Sequence, residues 1–172
     1  MAVLLASVGQ AAARTLAVVD IDGVVADVRH RLHFIENGRR DWGAFHSAAG
    51  ADPVLAEGRE LAELLSAEHD IVWLSGRPEW LRPLTETWLA EHRLPSGPVL
   101  LRGNYDHRPA AAFKLGVVRA LAEREVVAAV LDDDDFVVDA LVAAGFPAVQ
   151  ADWLPRSRGD ALHRAQDVDG VS

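Results

Sequence analysis

Cysteine is absent from the 172 residues, so disulfides, thiolate nucleophiles and thiolate metal ligands are all excluded. That absence fits a cytosolic protein. Lysine is nearly absent as well. Of 17 basic residues only Lys114 is a lysine, and every other one is an arginine. A chain this biased toward arginine that still places one lysine either needs a compact amine there or keeps it by chance. Positive charge is not in excess: the formal net charge is −9, which argues against a broad basic face for nucleic acid and leaves room only for a local basic groove. No apolar run is long enough to span a bilayer, and the apolar stretch Met1 to Ala13 lacks the basic flank of a signal peptide. An extra strand or a frayed terminus is the expectation there. No Gly-x-x-x-x-Gly-Lys-Ser/Thr loop occurs, so no kinase domain of that type is expected in this chain. The seven histidines show no pair at metal-binding spacing on one helix face.

What is present suits one globular domain with a full core: half the residues are hydrophobic and a quarter charged. Five short apolar runs read as strands: Leu16–Val19, Ile71–Leu74, Val99–Leu101, Val126–Leu131 and Pro147–Val149. Helical spacing of apolar residues separates them, over Leu55–Glu68, Glu79–His92, Ala110–Arg124 and Phe136–Ala144. Strand alternating with helix predicts an α/β fold: a three-layer, Rossmann-like parallel sheet whose strand C-termini share one edge. Trp73, Trp80 and Trp88 read as core. The expected organisation is a single domain over 1–172, with a core of about 15–153, a flap over 27–53 and a polar tail over 156–172 that holds a terminal helix around Ala161–Gln166 or stays disordered. The insertion is too short for a large cap domain. It carries Arg29, Arg31, Arg39 and Arg40, suited to backbone phosphates. Trp42 and Phe45 either stack on a base or pack on the body.

The chemistry is carried by Asp20-Ile21-Asp22-Gly23, directly after the first apolar run. Carboxylates at i and i+2 on a strand end project to the same side, where open α/β sheets bind ligands. At about 4 Å two such charges repel by about 4 kcal/mol at an effective dielectric of 20, so a chain that keeps them together usually binds a cation or shifts a carboxyl pKa. An acidic turn is the other reading of the same residues. The remaining strand ends decide between them. Strand two ends in Ser75-Gly76-Arg77, the helix after strand three carries Lys114, and strand four ends in Asp132-Asp133-Asp134-Asp135. Acid pair, hydroxyl, amine and acid pair along one sheet edge are improbable as four separate accidents.

This order resembles the haloacid dehalogenase-like (HAD) hydrolase superfamily, over about Leu16 to Val149. The resemblance implies that Asp20 is a nucleophile toward phosphorus and Asp22 a general acid and then base. It also implies that Ser75 and Lys114 hold the phosphoryl oxygens, and that Asp20, Asp132, Asp133 and the backbone carbonyl of Asp22 hold Mg²⁺. General chemistry agrees: a carboxylate can accept a phosphoryl group, Mg²⁺ takes oxygen ligands, and Gly76 lets backbone approach a phosphate. Asp20–Asp27 with Arg31, then Leu74–Arg77, Thr87-Trp88-Leu89, Leu100–Arg102 and Leu131–Asp133 are similar to the 3′-phosphatase domain of phage-type polynucleotide kinase/phosphatase. That similarity implies substrate-binding roles for Gly76, Arg31, Arg77 and Arg102, and a phosphorylated nucleic-acid end or nucleotide as substrate. Val24 stands where many superfamily members have Thr. The expected function is thus a Mg²⁺-dependent phosphomonoesterase, with nucleotides or other small phosphate esters as the alternative substrates. A receiver-type phosphoacceptor domain fits less well, because its acceptor Asp belongs on strand three and that strand here ends in Leu101-Arg102. A non-catalytic phosphate- or metal-binding module ranks last, since no motif is broken.

Overall fold

The computed structural model describes residues 14–36 and 39–154; the readings made for Met1 to Ala13 and for the tail from Arg156 lie outside the described residues. Five strands are present: β1 (Thr15–Val19), β2 (His69–Pro78), β3 (Val99–Arg102), β4 (Val127–Asp132) and β5 (Ala148–Gln150). All pair in parallel, in the order β3-β2-β1-β4-β5. Helices α1 (Trp42–Ser47), α2 (Ala56–Glu68), α3 (Arg82–Glu91), α4 (Ala110–Ala122) and α5 (Asp135–Ala143) connect them. The parallel α/β expectation therefore holds. β1 is central and apolar on both faces, as a sheet covered on both sides requires.

Two apolar clusters sandwich the sheet. On one face Ala17, Val19, Ile71 and Trp73 pack with Trp88, Leu89 and Ala62 from α3 and α2. On the other, Leu16, Val18, Val72 and Leu74 pack with Phe113, Val118, Val137 and Leu141 from α4 and α5. The alternation of β1 residues between the two clusters is the period-2 strand pattern seen from both sides. Gly58 in α2 has a structural reason to be glycine: a Cβ there would lie 1.8 Å from the Val24 carbonyl oxygen, so only glycine lets the helix seat against the turn after β1.

Several boundaries differ from the sequence reading. β2 runs past Leu74 to Pro78, because pairing with β1 ends at Trp73 but pairing with β3 continues, with a register shift between Ser75 and Pro78. Ser75-Gly76-Arg77 thus lies within the strand. The stretch predicted as one helix from Glu79 is a 3₁₀ turn, Glu79–Leu81, followed by α3; Pro83, which lacks an N–H, sits in the first turn of α3. This places Trp80 on the outside, half exposed, which corrects its assignment to the core; Trp73 and Trp88 are buried. Among the described residues no helix is long and apolar enough to cross a membrane.

The insertion is not a loose loop. It is pinned at its neck, where Asp27 N–H donates to the Pro53 carbonyl at 2.8 Å and Leu55 N–H to Val25 at 2.9 Å. Two 3₁₀ turns (Val28–His30 and Leu32–Phe34) and α1 enclose a small core of Val28, Leu32, Ile35 and Phe45. Trp42 packs on that core.

Candidate active site

The edge formed by the C-terminal ends of β2, β1 and β4 collects the acids. Asp20 follows β1, and the chain then turns tightly: Val24, Val25 and Ala26 N–H groups all donate to the Ile21 carbonyl. Gly23 carries φ +80°, a left-handed conformation that glycine adopts without strain, and a Cβ on it would lie 1.9 Å from Asp133 Oδ2. The acid pair after β4 therefore reaches β1 only because position 23 has no side chain. Asp134 caps α5, accepting from the Phe136 and Val137 N–H groups, which leaves Asp132 and Asp133 turned toward Asp20.

Asp20, Asp132 and Asp133 each offer a carboxylate oxygen, all within 4.8 Å of one another. Lys114 Nζ, brought in from α4, sits 2.8 Å from Asp20 Oδ2 and 2.6 Å from Asp132 Oδ2. The lone lysine thus bridges the two acid motifs. Asp20, Asp132 and Lys114 are all buried, and Asp20 Oδ1 has no hydrogen-bond partner. Burial pushes Asp20 up to about 7, against the pull of Lys114 and with help from Asp132. Asp132 is pushed up to about 6, again chiefly by burial. Burial would lower Lys114, but Asp132 and Asp20 outweigh it and hold the ammonium charged well above its ordinary range. Three close carboxylates with one ammonium leave an excess of negative charge and an unpaired oxygen. That donor set fits a divalent cation that prefers oxygen ligands.

Asp22 faces elsewhere. Arg77 Nε lies 3.0 Å from its Oδ2, and Arg77 Nη2 lies 2.6 Å from its Oδ1; Arg31 Nη2 reaches the same Oδ1 at 2.6 Å. Burial alone would raise this carboxyl, but Arg77 and then Arg31 drive it well below the ordinary carboxylate range. Both guanidinium groups are fully buried. Asp52 holds them from the far side: Arg31 Nε and Nη2 each at 2.8 Å and Arg77 Nη2 at 3.0 Å. Arg77 Nη1 also donates to Thr85 Oγ1 of α3 at 3.3 Å. Ser75, fully buried, accepts the Arg77 N–H at 3.1 Å. Two arginines and two aspartates make a neutral, buried lattice beside the acidic triad.

The structure therefore brings Asp20, Asp132, Asp133 and Lys114 into one cluster. Asp22, Arg31 and Arg77 form a second, with Ser75 against its backbone. Arg102 is held apart. Its Nη1 donates to the Asp106 and Arg108 carbonyls of the loop after β3, and its guanidinium stacks on Phe113 at 4.8 Å. Phe45 does not offer a stacking face. It is buried under the Arg31 guanidinium, 4.1 Å from its ring centroid, so the packing alternative describes it.

Two residues of the site escaped the sequence reading. Asp52 is a single acid at the end of the flap, and nothing in Gly50-Ala51-Asp52-Pro53 marks it until the neck of the insertion closes it onto two arginines. His46 lies buried on α1. Neither ring nitrogen has a partner, and the ring stacks near Trp42 and meets Trp80 edge-on, each at 5.8 Å. Burial first, and then Arg31 and Arg77, lower it to about 4 against the pull of Asp22. Its one sequence signal was its place four residues after Trp42.

The comparisons with known proteins follow this geometry. The family model described as the polynucleotide kinase PNKP phosphatase domain matches residues 14–153. No curated protein sequence matches. Among solved structures, a chain of the Pnkp1/Rnl/Hen1 complex superposes with a TM-score of 0.65 at 24% identity, over 81% of this chain and 47% of that one. A chain of the Pnkp1/Rnl/Hen1 RNA repair complex gives 0.64 at 23%, over 88% and 47%. L-2-haloacid dehalogenase from Xanthobacter autotrophicus gives 0.51 at 14%, over 92% and 84%. At these identities the likeness shows the fold. The chain spans about half the length of the two repair-complex chains it matches.

Proposed function

The chain belongs to the polynucleotide kinase PNKP phosphatase-domain family of the HAD hydrolases, and on that premise we propose that it is a Mg²⁺-dependent phosphomonoesterase that acts through an aspartyl phosphate, with 3′-phosphate ends of nucleic acid as substrates. The observation that carries the reading is the buried triad Asp20, Asp132 and Asp133 with Lys114 bridging two of its members. That arrangement suits a nucleophile which must meet a phosphate dianion and so needs positive charge beside it.

Asp20, Asp132 and Asp133, with the Asp22 carbonyl, are the groups that would hold Mg²⁺. When bound, the ion neutralises phosphate charge and orients the phosphoryl group. Lys114 favours the ionised form of Asp20 against the effect of burial, holds it in place and offers a donor to a phosphoryl oxygen. An Asp20 oxygen attacks phosphorus, the bond from phosphorus to the ester oxygen breaks, and the phosphoryl group remains on Asp20. Asp22 supplies the proton taken by the departing oxygen. It then removes a proton from the water that attacks the same phosphorus, releasing inorganic phosphate and restoring Asp20. Asp22 cannot give a proton while two guanidinium groups hold it as an anion. A phosphate dianion that competes for Arg31 and Arg77 loosens their hold on Asp22, which then takes up a proton from solvent before the ester bond breaks, while Asp52 keeps both arginines placed.

A phosphate-release panel with Mg²⁺ tests the reading. It compares 3′-phosphorylated and 5′-phosphorylated oligonucleotides, mononucleotides, sugar phosphates and a generic aryl phosphate. Preference for the 3′-phosphorylated strands is expected. Preference for mononucleotides moves the substrate to small esters, and no release from any of them rejects the phosphatase.

A further inference from the structure

Two exposed aromatic rings stand on the sheet edge that carries the acids. Trp80 follows β2 and is 52% exposed; Tyr105, the single tyrosine of the chain, follows β3 and is 93% exposed. Both are large surfaces that the core does not use. The loops that carry them are tied together, because the Trp80 N–H donates to Asn104 Oδ1 at 3.0 Å. Trp80 is tied inward too. Its ring meets the buried His46 edge-on at 5.8 Å, and His46 lies in the field of Asp22, Arg31 and Arg77. Contacts thus run from the Asp22 cluster through His46 to Trp80, and the Trp80 backbone ties to Asn104, the residue before Tyr105.

We infer that Trp80 and Tyr105 form a stacking track for the bases of a single-stranded polynucleotide whose phosphorylated end lies at Asp20. The inference rests on the phosphatase reading and narrows its substrate to a strand end. The sheet order sets the direction. Moving from β1 to β2 to β3 steps outward from Asp20, two strand spacings or about 10 Å. That span suits the first bases behind the terminal phosphate. Base stacking on aromatic rings is indifferent to sequence, because every base has a π-face. The surroundings favour a strand over a protein partner. Along the chain each ring has polar neighbours, Glu79 and Arg82 near Trp80 and Asn104 and Asp106 beside Tyr105, whereas protein docking favours one contiguous apolar patch.

The test uses the full chain with Mg²⁺ and measures KM for a nucleoside 3′-monophosphate and for 3′-phosphorylated single strands of two, three and six nucleotides. Wild type should bind the longer strands about tenfold more tightly by KM, with the gain complete within the first few nucleotides. Tyr105→Ala should shrink that gain about tenfold, and Tyr105→Phe should retain it. Trp80→Ala should act likewise. Because Trp80→Ala also uncovers His46, Tyr105→Ala is the decisive variant. A KM that does not depend on length, or a Tyr105→Ala protein with the full wild-type gain, overturns the track, leaves the phosphatase standing and returns the two rings to protein docking. Fluorescence anisotropy of a labelled single strand reads the track without turnover. Equal affinity of wild type and Tyr105→Ala overturns it even in protein that releases no phosphate from any ester.

Discussion

Arg77 clasps both carboxylate oxygens of Asp22, through Nε and Nη2, at 3.0 and 2.6 Å. The pair is buried, and Arg31 and Asp52 complete it. The acid–base residue of the proposed reaction is therefore stored as an anion in a closed ionic lattice, while the proposed nucleophile sits in a separate one with Lys114. The division of labour between Asp20 and Asp22 is a division of partners.

Arg77→Ala leaves two carboxylates buried with one guanidinium between them. Removing one partner of a buried pair costs about 3–5 kcal/mol, so urea denaturation should show a loss of that order. Arg77→Lys should recover little of it, because a point charge cannot make the two-pronged contact. A variant as stable as wild type would show that the lattice is not a structural element.

Asp20→Asn should abolish phosphate release while leaving the melting temperature at or above that of wild type, because it removes a buried charge from an acidic cluster. Asp22→Asn should slow release by about 10²–10⁴, the usual weight of general acid–base catalysis. Retained turnover in Asp20→Asn would exclude the aspartyl phosphate.

Mg²⁺ should stabilise the protein, by about 2.7 kcal/mol at a hundredfold excess over its Kd. Thermal melts with and without the ion read this directly. Asp133→Asn should weaken the response. Gly23→Ala should do the same through geometry, since its Cβ would displace Asp133 Oδ2 from 1.9 Å away and strain a backbone at φ +80°. A full Mg²⁺ response in both variants would place the ion elsewhere.

In chelator, stability should fall as pH rises from about 4 to about 7. Asp20 and Asp132 are raised to about 7 and about 6, so across that window the folded state holds protons that the unfolded state has lost. Asp52, also raised by burial, acts in the same direction. His46, lowered from 6.5 to about 4, acts in the opposite direction, but three carboxyls outnumber one imidazole. Asp22 contributes nothing to the slope here. Its carboxyl is depressed, so its stabilising contribution is complete above the ordinary carboxylate pKa and is lost only in stronger acid. Saturating Mg²⁺ should flatten the slope by replacing the protons. Melting temperatures recorded from pH 5 to 7.5 in chelator and in Mg²⁺ check both statements, and a rise with pH in chelator would contradict the first.

Much of this molecule was legible before folding. The β1 run Leu16–Val19, ending in two acids, marked the central strand, since only a strand covered on both faces reads as continuously apolar. Lys114 stood out because no other lysine competes with it. What could not be read were contacts that depend on closure of the insertion. Asp52 becomes a partner of Arg31 and Arg77 only when Asp27 and Leu55 pin the neck. Trp80 followed the spacing of a core residue, yet Pro83 delays the helix and turns the ring outward. Nothing in the sequence around Arg102 shows that its guanidinium lies over Phe113 and donates to the carbonyls of the loop after β3.

The sequence by itself determined the order of strands and helices and the identity of the acids, the hydroxyl and the amine at their ends, because apolar period and turn chemistry are local properties. Tertiary structure alone decided which charge faces which. Asp20 and Asp22 are two residues apart and chemically identical. The fold places Lys114 and Asp132 beside the first and Arg31, Arg77 and Asp52 around the second. Burial then makes those neighbours decisive, because in a poorly solvated site the nearest charge sets the protonation state of a carboxyl.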